Sequence, residues 1–294
     1  MRKAAIVFPG QGSQFVGMGK ELFENSQTVR DYFQSANEIL GKDLAKIMFE
    51  GPEETLQETD NTQVAIFLVS ISLLDIIKKQ DYDISFYAGH SLGEITAYYA
   101  SGVFDFATAL KVIKKRGQAM LTSYLEPAGM AAVIGADLNL LEIVVAEVNK
   151  TVPVFIANYN SLEQIVISGS LAGVEAASTI LKEKGIRKII PLKVKGPFHT
   201  PLMQKASSEF SEFLESISFI SALKPIILNR TAQAETNITV LKENLPLQIC
   251  SSVKWLQSVN YLADKVDCFI ECGPGKVLTG LIKKIAKDKE VFGV

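Results

Sequence analysis

A serine between two glycines is the first residue of this chain that could carry covalent chemistry. Residues 89–93 read Gly-His-Ser-Leu-Gly, between an apolar run at residues 84–88 and a helix-like run at residues 94–100. On a tight turn from strand to helix a serine hydroxyl is exposed above the sheet, and flanking glycines let the backbone pass without a Cβ clash. This context predicts a nucleophile elbow at Ser91, against the simpler alternative of a glycine-bracketed turn. Glu94 would lie in the first helical turn, where a carboxylate complements the helix dipole.

A nucleophilic serine needs a base, and the chain contains only two histidines. His90 is adjacent to Ser91, and successive side chains diverge on such a turn, so His90 is poorly placed to accept the serine proton. His199 lies in residues 195–201, Lys-Gly-Pro-Phe-His-Thr-Pro, where a glycine and two prolines stiffen the loop. We therefore predict that His199 is the base, rather than an exposed polar residue of a loop.

The composition is ordinary for a soluble enzyme. Of 294 residues, 48% are apolar and 21% charged, and the net charge of −2 gives no basic field that would favour nucleic acid or an acidic membrane. Three cysteines, Cys250, Cys268 and Cys272, favour a reducing compartment without disulfides and suggest a metal site only weakly. The basic N-terminal segment is too short for a signal peptide, and the longest near-apolar run, residues 64–74, is shorter than a membrane span. We expect a cytoplasmic protein without a metal or a membrane partner.

Alternating strands and helices predict an α/β fold with a mostly parallel sheet. The predicted strands of this larger part are residues 4–8, 84–88, 224–229 and 268–271, and its predicted helices are residues 20–40, 64–79, 94–100, 106–123 and 277–287. A glycine-rich loop at residues 9–14 follows the first strand. It lacks the third glycine and the Gly-Lys-Ser/Thr sequence of nucleotide-binding loops, so a nucleotide site is not predicted.

Residues 126–196 show a second order of predicted strands and helices. Its predicted strands are residues 130–135, 152–157, 164–168 and 186–192, and its predicted helices are residues 138–150 and 171–184. The resulting order, βαββαβ, is that of a ferredoxin-like unit. We therefore predict a small subdomain at residues 126–196, inserted into a core domain of residues 1–125 and 197–294. A ligand would bind in the crevice between them, which Ser91 and His199 could both face.

Seven short motifs in a fixed order make the chain similar to the malonyl-CoA:acyl carrier protein transacylases of fatty acid synthesis. They resemble equally the discrete acyltransferases that serve polyketide synthases in trans. The motifs are FPGQGSQ at residues 8–14, GHSLGE at 89–94, KRGQAM at 115–120, NYNS at 158–161, GPFH at 196–199, QI at 248–249 and GPGKVL at 273–278. The resemblance spans nearly the whole chain. It implies a hydrolase-like core with a mostly parallel sheet and an inserted ferredoxin-like βαββαβ subdomain.

The resemblance also implies catalytic roles for the residues at matching positions. Ser91 would take the acyl group, and His199 would act as general base and then as general acid. The backbone N–H groups of Leu92 and Gln11 would form the oxyanion hole. In this family a main-chain carbonyl orients the histidine, and the matching residue is Gln248. A Ser-His dyad without an acidic third member is therefore implied.

Three further residues are implied at the substrate site. Arg116 matches the arginine that holds the substrate carboxylate, and a guanidinium can bind the carboxylate of a malonyl group with two hydrogen bonds. Phe198 resembles the bulky residue of malonyl-using members, and Asn160 lies in the motif at residues 158–161. Composition alone would favour a surface position for Arg116, and Phe198 could equally be a core residue.

The implied reaction is a ping-pong transfer from malonyl-CoA to the phosphopantetheine thiol of an acyl carrier protein. It needs no bound cofactor, and members of the family are generally monomeric. Two alternatives stay open, an acyl-thioester hydrolase of the same fold and a non-catalytic carrier-binding protein. Carrier proteins of this kind are acidic, so a basic rim is expected at the crevice. The candidates are Lys111, Lys114, Arg187, Lys188, Lys193 and Lys195.

Overall fold

Two β-sheets organise the part of the chain that the computed structural model describes, residues 1–194 and 196–294. The strands are β1 (Arg2–Phe8), β2 (Tyr82–Gly89), β3 (Ala128–Ile134), β4 (Val154–Ser161), β5 (Gln164–Ser170), β6 (Lys188–Pro191), β7 (Ile226–Ile227), β8 (Ala234–Glu235), β9 (Cys268–Glu271) and β10 (Glu290–Gly293). The helices are α1 (Lys20–Asn25), α2 (Gln27–Leu40), α3 (Leu44–Glu50), α4 (Glu53–Gln57), α5 (Thr59–Ile77), α6 (Leu92–Ala100), α7 (Phe106–Thr122), α8 (Leu138–Asn149), α9 (Leu171–Glu183), α10 (Gln204–Glu215), α11 (Ile238–Leu247), α12 (Trp255–Ala263) and α13 (Val277–Ile285). The predicted α/β class is confirmed.

The larger sheet has the strand order β10-β9-β1-β2-β7-β8 and is parallel except at its β7–β8 edge. Strand β1 lies inside it, and every residue from Ala4 to Phe8 is fully buried, as expected for a parallel strand covered on both faces. Phe8 pairs with Gly89 at the carboxyl ends of β1 and β2. The glycine-rich loop after β1 and the Gly-x-Ser-x-Gly segment after β2 are therefore neighbours, at the edge where α/β sheets bind ligands.

Helix α5 is the most apolar helix of the core. It begins at Thr59, five residues before the predicted start, and its 19 residues with a mean hydropathy of 1.5 are long and apolar enough to cross a membrane. The near-apolar run of residues 64–74, taken alone, predicted a segment too short to span a membrane. Most of the helix is nevertheless buried against α4, α6 and α7. An apolar surface on all sides is what a helix in the centre of a core requires.

The smaller sheet is antiparallel, with the order β4-β5-β3-β6 and with α8 and α9 packed on one face. This order and the βαββαβ succession are those of the predicted ferredoxin-like unit. Side chains alternate along β3, so that Ala131 and Val133 pack under the two helices while Met130 and Ala132 join the main core. The sheet lies within residues 126–196, and the exact domain boundaries stay a prediction.

The last third of the chain differs most from the sequence prediction. The strand predicted at residues 224–229 is paired only at Ile226–Ile227, because the N–H of Asn229 donates to a buried carboxylate instead of a neighbouring strand. Helices α10, α11 and α12 and the terminal strand β10 were not predicted. Helix α11 carries Pro246 in its last turn, which obscures a helical pattern in the sequence.

Candidate active site

Ser91 lies at the turn between β2 and α6 in a backbone conformation that L-residues rarely adopt. Its φ is 53° and its ψ is −103°, so the residue is strained and its side chain is directed away from the sheet. A Cβ added at Gly89 would collide with the backbone of Gly93, and one added at Gly93 would collide with the carbonyl of Phe8. Both glycines are therefore required by close backbone contact, as the elbow interpretation predicts.

Ser91 and His199 meet although 108 positions separate them in the sequence. The Oγ of Ser91 lies 2.7 Å from Nε2 of His199. On the other side of the ring, Nδ1 lies 3.0 Å from the carbonyl oxygen of Gln248 and 3.2 Å from that of Ser251. Two acceptors at Nδ1 require a proton there in the neutral ring, so Nε2 carries the lone pair that can accept the serine proton. Main-chain carbonyls, rather than a carboxylate, orient the imidazole.

His199 is held as a neutral base by its surroundings. Burial, followed by the positive charge of Arg116, lowers the pKa of His199 to about 3, although the hydrogen bonds to the Gln248 and Ser251 carbonyls act in the opposite direction. The backbone at His199 has a φ of 60°, and its N–H donates to the carbonyl of Ile249 at 3.1 Å. The loop therefore fixes the position of the ring, and burial beside Arg116 keeps the ring neutral.

Arg116 projects from α7 into the site and is 1% exposed. Its Nη1 donates to Oε1 of Gln63 at 3.0 Å, and its Nη2 donates at 2.9 Å both to Oε1 of Gln248 and to Oγ of Ser91. Its Nε has no partner among the described residues. Burial lowers the pKa of Arg116 to about 10, against the opposing effect of Glu94, so the group stays charged at neutral pH. A buried guanidinium that contacts only neutral groups is ready to bind an anion.

A cavity of about 300 Å³ lies above this serine, with residues of both sheets in its wall. Gln11 and Leu92 border it, and their N–H groups have no protein acceptor in the described part of the chain. The N–H of Leu92 is free because it belongs to the first turn of α6. The opposite wall includes Met130 and Val166 of the smaller sheet. Two backbone donors beside a nucleophile can stabilise a tetrahedral oxyanion.

Phe198 and Asn160 also line the cavity. Phe198 is 4% exposed and packs in the main core, so it both fills space beside the dyad and supports the loop. The Oδ1 of Asn160 accepts a hydrogen bond from Nε2 of His90 at 2.8 Å. His90 is thereby directed to the smaller sheet and not to the Ser91 hydroxyl, as its position next to the serine predicts.

Three polar residues of the site were missed from the sequence, and the burial of a fourth was not predicted. Gln63 lies in the apolar helix α5, where a single glutamine gives no signal of its own. Asn229 and Asn244 contact the elbow region from more than 130 positions away in sequence. Glu94 lies in the first turn of α6 as predicted, but its burial was not predicted: the residue is 0% exposed and accepts hydrogen bonds from Asn229 and Asn244.

The predicted basic rim is only partly placed near the cavity. Lys193 is exposed and lies between Leu192 and Val194, which both line the cavity. Lys114 does not belong to the rim, because its Nζ donates to the carbonyl of Ile39 at the end of α2, on the side of α7 away from Arg116. Lys195 lies outside the described residues.

Comparison with known proteins agrees with this geometry. The family described as "Acyl transferase domain" matches residues 5–292. A malonyl CoA-acyl carrier protein transacylase of Bacillus subtilis is 42% identical over 299 residues, which cover 100% of this chain and 94% of that protein. The chain belongs to the malonyl CoA-acyl carrier protein transacylase family.

Other relatives and solved structures of this acyl transferase family are equally full-length. A transacylase of Staphylococcus aureus strain MSSA476 is 39% identical over 100% of this chain and 96% of its own. The crystal structure of a malonyl-CoA:acyl carrier protein transacylase from Xanthomonas oryzae superposes with a TM-score of 0.95 at 37% identity, covering 99% of this chain and 93% of that one. A malonyl-transacylase in complex with a type II PKS acyl-carrier protein gives a TM-score of 0.95 at 34% identity, with 99% and 96% coverage. The hydrolase-like core with its inserted ferredoxin-like sheet is thus the fold of this family.

Proposed function

We propose that this chain transfers a malonyl group from malonyl-CoA to the phosphopantetheine thiol of an acyl carrier protein, through an acyl-serine at Ser91. One observation carries the choice of acyl group. The guanidinium of Arg116 is buried, has only neutral partners, and lies 2.9 Å from the Ser91 hydroxyl. An acyl group bound to Ser91 can reach this guanidinium with a carboxylate only if the chain between its two carbonyl carbons is very short. Malonyl, with one carbon there, fits this distance.

The first half-reaction uses the groups that surround Ser91. The Oγ of Ser91 attacks the thioester carbonyl while Nε2 of His199 takes its proton. The N–H groups of Gln11 and Leu92 stabilise the oxyanion of the tetrahedral intermediate. The intermediate then collapses, the bond from carbon to sulfur breaks, and His199 returns the proton to the sulfur of CoA. The product is a malonyl ester of Ser91 and free CoA thiol.

The second half-reaction repeats these steps with another thiol. The phosphopantetheine thiol gives its proton to His199 and attacks the ester carbonyl, and the proton then passes to Oγ of Ser91 as the ester bond breaks. An oxyester and a thioester are close in energy, so transfer runs in both directions. Arg116 keeps the malonyl carboxylate in place throughout, which holds the ester carbonyl at the same two N–H groups in both halves.

Intact mass spectrometry after mixing the protein with malonyl-CoA or with acetyl-CoA tests this function. Malonyl-CoA should add one malonyl group to the protein and release CoA, and acetyl-CoA should add little under the same conditions. Addition of carrier protein should remove the malonyl group from Ser91 and place it on the carrier. A hydrolase would instead consume malonyl-CoA steadily without a carrier, and a non-catalytic protein would form no adduct. Either result would contradict the proposal.

The pH dependence of acylation should reflect the low pKa of His199. In the free protein the base stays neutral far below the usual histidine value of about 6.5, so labelling of Ser91 by an uncharged fluorophosphonate should stay nearly constant down to about pH 5. A bound malonyl carboxylate neutralises Arg116 and removes one cause of the lowered pKa. The acid limb of acylation at saturating malonyl-CoA should therefore lie at higher pH than that of fluorophosphonate labelling. Two coincident limbs would show that no anion pairs with Arg116.

Two further features of the protein belong to this proposal. We place the carrier at the cavity mouth beside the exposed Lys193, where a basic side chain can attract an acidic protein. We also assign the protein to the cytoplasm, a location supported by its three free cysteines, of which Cys268 and Cys272 are buried.

A further inference from the structure

A buried polar cluster lies beneath the elbow, and its contacts with the backbone of the elbow take no part in the steps above. It consists of Glu94, Asn229, Asn244 and Gln248, and each of these residues is at most 1% exposed. Among the described residues no lysine or arginine forms a salt bridge with Glu94. Burying four polar side chains together costs free energy unless their polar atoms form hydrogen bonds. Three of their hydrogen bonds go to backbone atoms of the strained turn, and the others join them to one another, to Arg116 and to Arg230.

Asn229 joins the two ends of the turn that carries the nucleophile. Its Oδ1 accepts a hydrogen bond from the N–H of Ser91 at 2.7 Å, and its Nδ2 donates to the carbonyl of Gly89 at 2.6 Å. One side chain therefore fixes the peptide groups before and after His90. The φ of Ser91, 53°, is unfavourable for a residue with a Cβ and persists only where the surroundings impose it.

Gln248 fixes the peptide group on the other side of the serine. Its Nε2 donates to the carbonyl of Ser91 at 2.9 Å. The carbonyl of Ser91 and the N–H of Leu92 belong to one planar peptide group and point in opposite directions. With the carbonyl held towards Gln248, the N–H of Leu92 is directed away from it, towards the side where the oxyanion forms. The orientation of the catalytic donor is thus determined by hydrogen bonds outside the cavity.

Glu94 in turn fixes Asn229. Its Oε2 accepts the main-chain N–H of Asn229 at 2.6 Å, and its Oε1 accepts Nδ2 of Asn244 at 2.9 Å. Glu94 lies one turn after Ser91 on α6, so the helix that follows the nucleophile also holds the residue that supports it. Burial raises the pKa of Glu94 to about 7, although the Asn229 N–H and the other donors act in the opposite direction.

We propose that Asn229, anchored by Glu94, is a positioning residue that holds Ser91 in its reactive backbone conformation, the conformation in which Gln248 directs the Leu92 N–H to the oxyanion. This inference rests on the proposed role of Ser91 as nucleophile. It predicts that Asn229 affects bond formation at Ser91 and leaves binding of the malonyl carboxylate at Arg116 unchanged.

Two substitutions of Asn229, assayed by the rate of fluorophosphonate labelling, test the proposal. In this reaction Oγ of Ser91 forms a bond to phosphorus, fluoride leaves, and His199 takes the proton. Asn229→Ala removes both hydrogen bonds to the turn, and labelling should slow by about 100-fold, as expected when an oxyanion donor is lost. Binding of malonyl-CoA, measured by calorimetry in a Ser91→Ala background, should change by less than about threefold, because Gln63 and Gln248 keep their hydrogen bonds to Arg116 and Gln248 keeps its bond to the carbonyl of residue 91.

Asn229→Asp gives the sharper test, because its effect depends on pH. A protonated aspartic acid can donate its O–H to the carbonyl of Gly89 and accept the N–H of Ser91, whereas the carboxylate repels that carbonyl. The charged or titratable groups on the elements packed around this side chain are Glu94 and Tyr98 on α6, Arg116 on α7, His199, and Arg230, whose Nε donates to Oδ1 of Asn244. The ratio of the labelling rate of this variant to that of the wild type, measured at each pH, should rise at least about tenfold from pH 8 to pH 5.

A matched control is Asn149→Asp. The Oδ1 of Asn149 accepts the N–H of Val154 at 3.1 Å in the smaller sheet, and an aspartate accepts it equally well. Its labelling rate should equal that of the wild type at every pH. Absence of labelling in the wild type would refute the role of Ser91. Normal wild-type labelling with an unchanged rate in Asn229→Ala, or with a flat pH ratio in Asn229→Asp, would refute the positioning role alone.

Discussion

Replacement of Ser91 by alanine should abolish the malonyl adduct and lower the rate of carrier malonylation by on the order of 10⁶-fold, the cost of removing a nucleophile from a Ser-His pair. His199 has no other hydroxyl at its Nε2 in the described residues, and the Arg116 guanidinium cannot attack a thioester. Intact mass spectrometry after mixing with malonyl-CoA measures the adduct. The variant should still bind malonyl-CoA, because Arg116, Gln11 and Leu92 are unchanged.

A cysteine thiol could also form a malonyl adduct, and this alternative to Ser91 needs a control. Cys250 is the one cysteine that is partly exposed, and it lies two residues from Gln248. Cys250→Ser should therefore form the malonyl adduct as fast as the wild type. An adduct that persists in Ser91→Ala and disappears in the double variant would contradict the assignment of Ser91. Thermal unfolding of both variants identifies any loss of fold, which we do not expect from a side chain this small.

Replacement of Arg116 by alanine should remove the preference for malonyl-CoA over acetyl-CoA. A hydrogen bond to a charged group in a buried site contributes about 1.5–3 kcal/mol, which corresponds to a preference of about 10- to 150-fold. Two such bonds to one carboxylate place the expected loss at the upper end of that range. The measurement is kcat/KM for both thioesters. Malonyl-CoA should lose most of its rate, and acetyl-CoA should change little.

Further variants distinguish the charge of Arg116 from the planar shape of its guanidinium. The alanine variant leaves Oε1 of Gln63 and of Gln248 without their donor, so some loss of stability is expected. Arg116→Lys keeps the charge but cannot form two parallel hydrogen bonds to a carboxylate, and it should retain an intermediate preference. Lys111→Ala, on the exposed face of the same helix, serves as the control and should keep the wild-type preference for malonyl-CoA over acetyl-CoA. Equal discrimination in all four proteins would refute the role of Arg116.

Much of the fold could be predicted because its strands carry their own signals. Strands β1, β2 and β9 contain short apolar runs. Helices α7, α8 and α9 directly follow Asp105, Asp137 and Ser170, whose side chains cap them as sequence rules expect. Helix α5 was shortened in the prediction because its first turn, from Thr59 to Gln63, is polar in sequence. Four of these five residues are buried, and Gln63 among them lines the cavity and accepts a hydrogen bond from Arg116.

The geometry of the site was predictable only where residue type and scarcity restricted the choice. With two histidines in the chain, His199 was the only partner left for Ser91. Glutamines and asparagines offer no such restriction, so Gln63 and Asn229 gave no signal. The environment of Glu94 depends on contacts with Asn229 and Asn244, which lie 135 and 150 positions further along the chain. Partners at that separation are fixed by tertiary structure, which periodicity along the sequence does not report.

The position of β1 has a consequence for how the protein is made. Its neighbour on one side is β2, but its neighbour on the other side is β9, which pairs with β10 at residues 290–293. A growing chain that has left the ribosome up to the elbow therefore has a central strand with one open edge. That edge is covered only when synthesis is almost complete. The base of Ser91, His199, and the carbonyl of Gln248 that orients it also come from later segments, so a chain that ends soon after the elbow lacks the groups that the proposed reaction needs.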